Sequence, residues 1–151
     1  GDGWFVRAYP DGTLEHASGT YDSLFWEGYG KNYPTISRGF VVARADLEST
    51  LLSHLAQLGL NEKESADFME FWLPKMPTTP YTRLSWLGTR EMNALAPLTV
   101  TPKPDSVIRV FLDFEGLEKS IDLKSQVLSS IPRSGFALVE WGGLLRNHDA
   151  H

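Results

Sequence analysis

The sequence predicts an α+β domain: an antiparallel β-sheet or β-sandwich with an inserted two-helix hairpin at about residues 46–73. Three observations predict it. Residues 4–43 are rich in aromatic and β-branched runs broken by Gly and Pro, the pattern of short strands. Leu47, Leu51, Leu52, Leu55 and Leu58 then recur with helical spacing. From residue 82 to 141 the strand pattern returns, so strands, helices and strands follow one another in segregated blocks.

Each element has a local reason. Trp4–Tyr9 is a strand-like run, and Pro10-Asp11-Gly12-Thr13 supplies a fixed φ and a permissive glycine for a hairpin turn. Leu14–Ala17 is the expected return strand and Tyr21–Glu27 a third, followed by a glycine-rich loop from Gly28 to Pro34. Gly39–Ala43 is a short apolar strand. Asp46 has the chemistry of an N-cap for the first helix, and Gly59 sits where a left-handed residue ends it. Asn61 and Glu64 have capping-box spacing for the second helix, which Pro74 terminates. Thr82–Leu87 is the next strand. Pro97, Pro102 and Pro104 exclude helix around Leu98–Thr101 and suggest an edge strand. In Ser106–Phe114, alternation places Ile108, Val110, Leu112 and Phe114 on one side. Val107, Arg109, Phe111 and Asp113 fall on the other. Ile121–Leu123 reads as a weaker strand, and Gly135–Trp141 as the last, before Gly142-Gly143 and a polar tail over residues 144–151.

With 151 residues, the expectation is one domain over residues 1–151 with a core large enough to fold without disulfide or metal. The net charge of −5 argues against a phosphate-backbone binder, so no nucleic acid is expected. The chain has no cysteine, which excludes thiol nucleophiles, redox pairs and thiolate zinc. No apolar run approaches a membrane span, so no membrane insertion is expected. No basic segment with an apolar core opens the chain, so a signal peptide is either removed or was never there.

Two carboxylates sit in apolar text beside tryptophan, Glu27 after Trp26 and Glu140 before Trp141. Desolvation disfavours a carboxylate, and two such groups across a cleft are the minimum set for glycoside hydrolysis. The plainer reading is structural: each turns outward, or accepts hydrogen bonds from a glycine-rich loop or from Arg109. Tyr29, Tyr33 and Tyr81 fall in expected loops, where rings with a polar tip suit a sugar or a protein surface. Trp4, Trp26, Trp72, Trp86 and Trp141 lie on expected elements, as core residues do. His16, His54, His148 and His151 form no metal-ligand pattern, and no metal or cofactor is expected. There is no G-x-S-x-G elbow, Walker A sequence or G-x-G-x-x-G turn.

Several blocks together resemble a family of microbial domains. They are Leu24-Phe25-Trp26-Glu27-Gly28, Leu58–Glu64 with Asp67-Phe68 and Trp72–Met76, Pro102–Phe111, and Gly135-Phe136 with Val139–Gly143. The resemblance spans Gly3 to Gly143. It implies an extracellular or cell-envelope setting and carries no activity, cofactor or catalytic residue.

The first expectation is therefore an exported, non-catalytic binding module that recognises a glycan or protein surface. Its ligand-binding residues would be Trp26, Glu27, Tyr29, Tyr33, Tyr81, Arg109, Glu140 and Trp141. A small glycoside hydrolase using Glu27 and Glu140 is the second. A purely structural accessory domain is the third.

Overall fold

The structure, a computed structural model, describes residues 6–9, 13–21 and 37–146. The chain divides into two compact units, Gly1–Tyr33 and Pro34–His151. In the first, strands β1 (Arg7–Ala8), β2 (Leu14–His16) and β3 (Gly19–Tyr21) form an antiparallel sheet in the order β1-β2-β3. The Tyr9 amide donates to Thr13 O at 3.0 Å, closing the expected first turn. Of the third expected strand only Tyr21 lies within the described residues.

The second unit is built on a four-stranded sheet in the order β4-β5-β6-β7. Its strands are β4 (Phe40–Ala43), β5 (Tyr81–Leu87), β6 (Ser106–Leu117) and β7 (Ala137–Arg146). β4, β5 and β6 pair antiparallel, and β6 pairs parallel with β7. The class is α+β, as expected, with the finer correction that this sheet is mixed. A parallel pair needs a crossover, and residues 118–136 supply it without helix. The weak strand expected at Ile121–Leu123 is absent; an isolated bridge joins Arg38 and Lys124 instead. Gln126 fastens the crossover to the edge of β5 beyond β4. Its side chain accepts from Trp86 N at 2.7 Å and donates to Trp86 O at 2.9 Å, as a neighbouring strand would.

The hairpin between β4 and β5 forms where the leucine period and caps place it. Helix α1 is Leu47–Gln57 and α2 is Glu62–Trp72. Gly59 takes φ +99° after α1, a conformation that costs other residues steric strain. Asn61 Oδ1 accepts from Glu64 N and Glu64 Oε1 accepts from Asn61 N, each at 2.9 Å, completing the capping box. Asp46 is a correction. It ends a 3₁₀ turn, Arg44–Asp46, and makes no side-chain cap bond, because that turn satisfies the first amides.

Both helices cover one sheet face. Leu51, Leu55 and Phe68 meet Leu84, Trp86, Ile108, Val110, Leu112 and Phe114 there, and most of these side chains are completely buried. Burying each large apolar side chain is worth about 1.5–3 kcal/mol, so this layer dominates stability.

The remaining corrections concern proline and glycine. Leu98–Thr101 forms no strand: flanking prolines remove donors a ladder needs. A short helix unforeseen in the sequence, α3 (Thr89–Leu95), precedes it, with Glu91 Oε2 accepting from Gly88 N at 3.1 Å. Gly142-Gly143 do not end the last strand, which runs on to Arg146 through the expected polar tail. A Cβ at Gly143 would lie 2.9 Å from Trp72 Cζ2, and one at Gly142 3.1 Å from Phe111 Cδ2. The two glycines let an aromatic ring lie on each face of β7.

Candidate functional site

The sheet face opposite the helices carries charge. By register, Arg83 and Ser85 on β5, Arg109, Phe111, Asp113 and Glu115 on β6, and Glu140, Gly142 and Arg146 on β7 share it. Alternation on β6 fixes this: its even positions from Ile108 to Phe114 enter the core, so Arg109 and Asp113 must point away. Three arginines (83, 109, 146) oppose three carboxylates (113, 115, 140), so the face is neutral.

Arg109 is centred at one end. The parallel register makes it the direct partner of Glu140, and its Nε donates to Glu140 Oε2 at 2.7 Å. Its Nη1 donates to Asn93 Oδ1 at 3.0 Å and to Ala96 O at 2.7 Å. Its amide donates to Thr89 Oγ1 at 2.9 Å, so α3 and the residue after it hold both backbone and side chain. Arg109 is only 2% exposed. A guanidinium so buried needs a counter-charge and oriented acceptors, and this site supplies both.

Asp113 is centred at the other end, with its side chain sealed from solvent. Its Oδ1 accepts from Arg83 Nη2 at 2.8 Å and its Oδ2 from Arg146 Nε at 2.9 Å. Arg83 Nη2 also donates to Glu115 Oε2 at 3.3 Å, and Arg83 Nη1 to Ser85 Oγ at 2.8 Å. Phe111, lying over Gly142, separates this network from Arg109.

Of the residues expected to bind a ligand, the structure brings together Arg109 and Glu140. Trp141 is turned to the other face: its ring lies 5.5 Å from that of Phe68, against the core. Tyr81 is not a loop residue but opens β5, half-buried and paired with Leu117. Eight positions of β6 then separate it from Arg109, roughly 26 Å of strand. Trp26, Glu27, Tyr29 and Tyr33 lie outside the described residues, as do Trp4, His148 and His151. The sequence reading passed over Asn93, Arg83 and Arg146; charged residues inside strand text were the available signal.

His54 belongs to the core. Its Nδ1 accepts from Trp86 Nε1 at 3.0 Å, its ring centre is 4.4 Å from that of Phe40, and burial pushes its pKa down. Among the described residues no three His, Asp or Glu side chains converge on a metal position, and no helix is long and apolar enough to cross a membrane. Comparison with protein-family models, curated proteins and solved structures finds no match for the chain.

The arrangement can do one thing well: hold polar groups still. Glu140 has one oxygen engaged by a buried guanidinium, and Arg109 is pinned by three acceptors. Such a constellation keeps its polar groups in one orientation.

Proposed function

We propose that the chain is a non-catalytic binding module, exported or displayed at the cell envelope, that recognises a glycan or a protein surface. One observation carries the reading over the hydrolase: Glu140 is committed to Arg109 by a 2.7 Å charge-assisted bond. A general acid must hold and release a proton at the scissile oxygen, whereas a carboxylate tied to a guanidinium acts as a fixed acceptor. The envelope setting is supported by the sequence resemblance.

The test separates retention from turnover. Native gels containing a soluble polysaccharide are run beside assays for release of reducing ends, on the wild type and on Glu140→Gln. Retardation of the wild type with no product supports the module. Product formation that disappears in Glu140→Gln overturns it in favour of the hydrolase.

A further inference from the structure

We propose that β7 is a dimerisation strand: two copies of the chain pair β7 antiparallel with β7 about a two-fold axis at Gly143, joining their four-stranded sheets into one continuous sheet. Such pairing is independent of any ligand the module takes. β7 is ten residues long, stands at the end of the sheet order, and has no further strand on its outer side among the described residues. At the opposite edge the crossover is fastened instead, by Gln126 and by the Arg38–Lys124 bridge. Hydrogen bonds fix the backbone direction. Thr89 Oγ1, on the chain that continues β5, accepts from Arg109 N at 2.9 Å, whereas Ser106 N donates to Phe136 O at 3.2 Å, just before β7. Odd residues of β6 thus face β5 and even ones face β7. A parallel partner bonds through the residues on either side of the registered one. Val139, Trp141, Gly143 and Leu145 are registered with even positions, so their N–H and C=O groups turn outward. This edge meets solvent. Although Phe111 and Trp72 lie against them, Gly142 and Gly143 are only half-buried, and the exposed surface of a glycine is backbone. Leu145 is 49% exposed. Neither proline nor lysine, the usual guards of an edge, occurs in the strand.

Charge complementarity selects a second copy as the occupant. An antiparallel pair centred on Gly143 sets Glu140 opposite Arg146 of the second copy, and by symmetry the reverse. Both lie on the charged face, with 17% and 34% of their side chains exposed. Within one copy the register places Arg83 beside Glu115, Glu115 beside Arg146, and Arg109 beside Glu140. Across the axis the row becomes Arg83, Glu115 and Arg146, then Glu140 and Arg109 of the second copy, alternating in sign throughout. Glu140 and Arg146 keep Arg109 and Asp113 as partners, so the new neighbour extends each network rather than breaking it. On the core face the same register lays exposed Leu145 against Trp141 of the second copy. Other registers lose the match. Centring on Glu140 or Arg146 opposes like charges, and centring on Gly142 sets Glu140 against Leu144 and Arg146 against Leu138. The backbone agrees: Gly143 meets Gly143 and Trp141 meets Leu145, all outward-facing, so each facing pair exchanges both of its N–H···O bonds.

Sedimentation equilibrium of the full chain from about 1 μM to about 1 mM, with amide hydrogen exchange at both ends of that range, tests the pairing. A monomer–dimer equilibrium is expected. On dimerisation the Trp141, Gly143 and Leu145 amides should become protected, while those of Glu140, Gly142 and Leu144, bonded to β6, are protected at both concentrations. Leu145→Pro removes an outward N–H that β6 does not use, so the ladder within the chain survives and the dimer loses a bond on each side of the axis. Its dissociation constant should rise about tenfold or more. Leu145→Glu leaves the backbone intact and sets a carboxylate against Trp141 of the second copy, and should weaken the dimer likewise. A chain that stays monomeric over the whole range overturns the proposal and leaves the edge to a foreign strand. So does a dimer in which the alternate amides stay unprotected, or one that both variants leave intact, since the contact then lies on another face. Assembly beyond the dimer overturns it too, because a two-fold pair closes.

Discussion

Trp86 donates its indole N–H to His54 Nδ1 at 3.0 Å, inside the layer where α1 meets β5. The acceptor must be an unprotonated ring nitrogen, so the fold is built around neutral His54. Burial lowers its pKa in the folded chain, and the unfolded chain therefore takes up the proton first. Stability is complete above about pH 6.5 and is lost as pH falls below it, until the folded-state imidazole protonates too. One proton changes stability by at most about 1.4 kcal/mol per pH unit. Urea unfolding between mildly acidic and neutral pH should show this slope in the wild type. Gln at position 54 can still accept from Trp86, and His54→Gln should flatten it. Equal slopes in the two proteins would contradict the assignment.

Asp113 is the common acceptor of Arg83 and Arg146 and has no exposed side-chain surface. Asp113→Asn keeps the size but leaves the buried Arg83 guanidinium with Glu115, at 3.3 Å, in place of its closer and fully buried counter-charge. The expected loss is about 3–5 kcal/mol, the usual result of breaking a buried pair from one side. Chemical denaturation of the purified variant checks it, and a loss under about 1 kcal/mol would show that the network is not stabilised through Asp113.

Gly39 and Gly143 differ in what surrounds them. A Cβ at Gly39 would meet Ser85 Oγ and lie 2.5 Å from the Leu84 carbonyl oxygen, which the sheet holds in place. At Gly143 it would meet the Trp72 ring at 2.9 Å, which at the core margin can shift, and the Leu112 carbonyl oxygen at 3.2 Å, a looser approach than the 2.5 Å at Gly39. Gly143→Ala should cost about 1–3 kcal/mol, and Gly39→Ala more than that. The order of the two midpoints in a thermal melt is the readout.

Arg133, in the crossover, donates from Nη1 to Glu64 Oε2 at 3.0 Å and from Nη2 to the Gly59 carbonyl at 2.9 Å. It ties residues 118–136 to the turn of the helical hairpin. The pair is partly exposed, so Arg133→Ala should lower global stability by only about 0.5–1 kcal/mol. Hydrogen exchange at Leu60 and Ser65, whose amides close this turn, should rise more than exchange in β5. Uniform acceleration would instead mean that the contact serves the whole fold.

The legible parts of the fold were those with local causes. Leucine spacing, Gly59 and the Asn61–Glu64 box specify the hairpin, and alternation in β6 assigns Arg109 and Asp113 to the face they occupy. Arg109 as a structural partner for Glu140 was also readable, since an acid and a base inside apolar strands have few other ways to be satisfied. What escaped depends on distant contacts. The parallel pairing of β7 is decided by a crossover whose anchors, Gln126 and Arg133, are ordinary polar residues in sequence. Gly142-Gly143 read as a stop because Trp72 and Phe111, which lie on them, are far away along the chain. Asn93 joins the site through α3, a seven-residue helix too short to show a period.

The pair of Arg109 and Glu140 is the centre of the account, and urea unfolding of Glu140→Gln tests it most directly. Removing the charge leaves Arg109 buried with neutral acceptors, and a loss of about 2–4 kcal/mol with an unchanged denaturant slope is expected. A variant as stable as the wild type, or more so, would mean that Glu140 is not held by Arg109, and the binding-module reading would lose the observation that carries it.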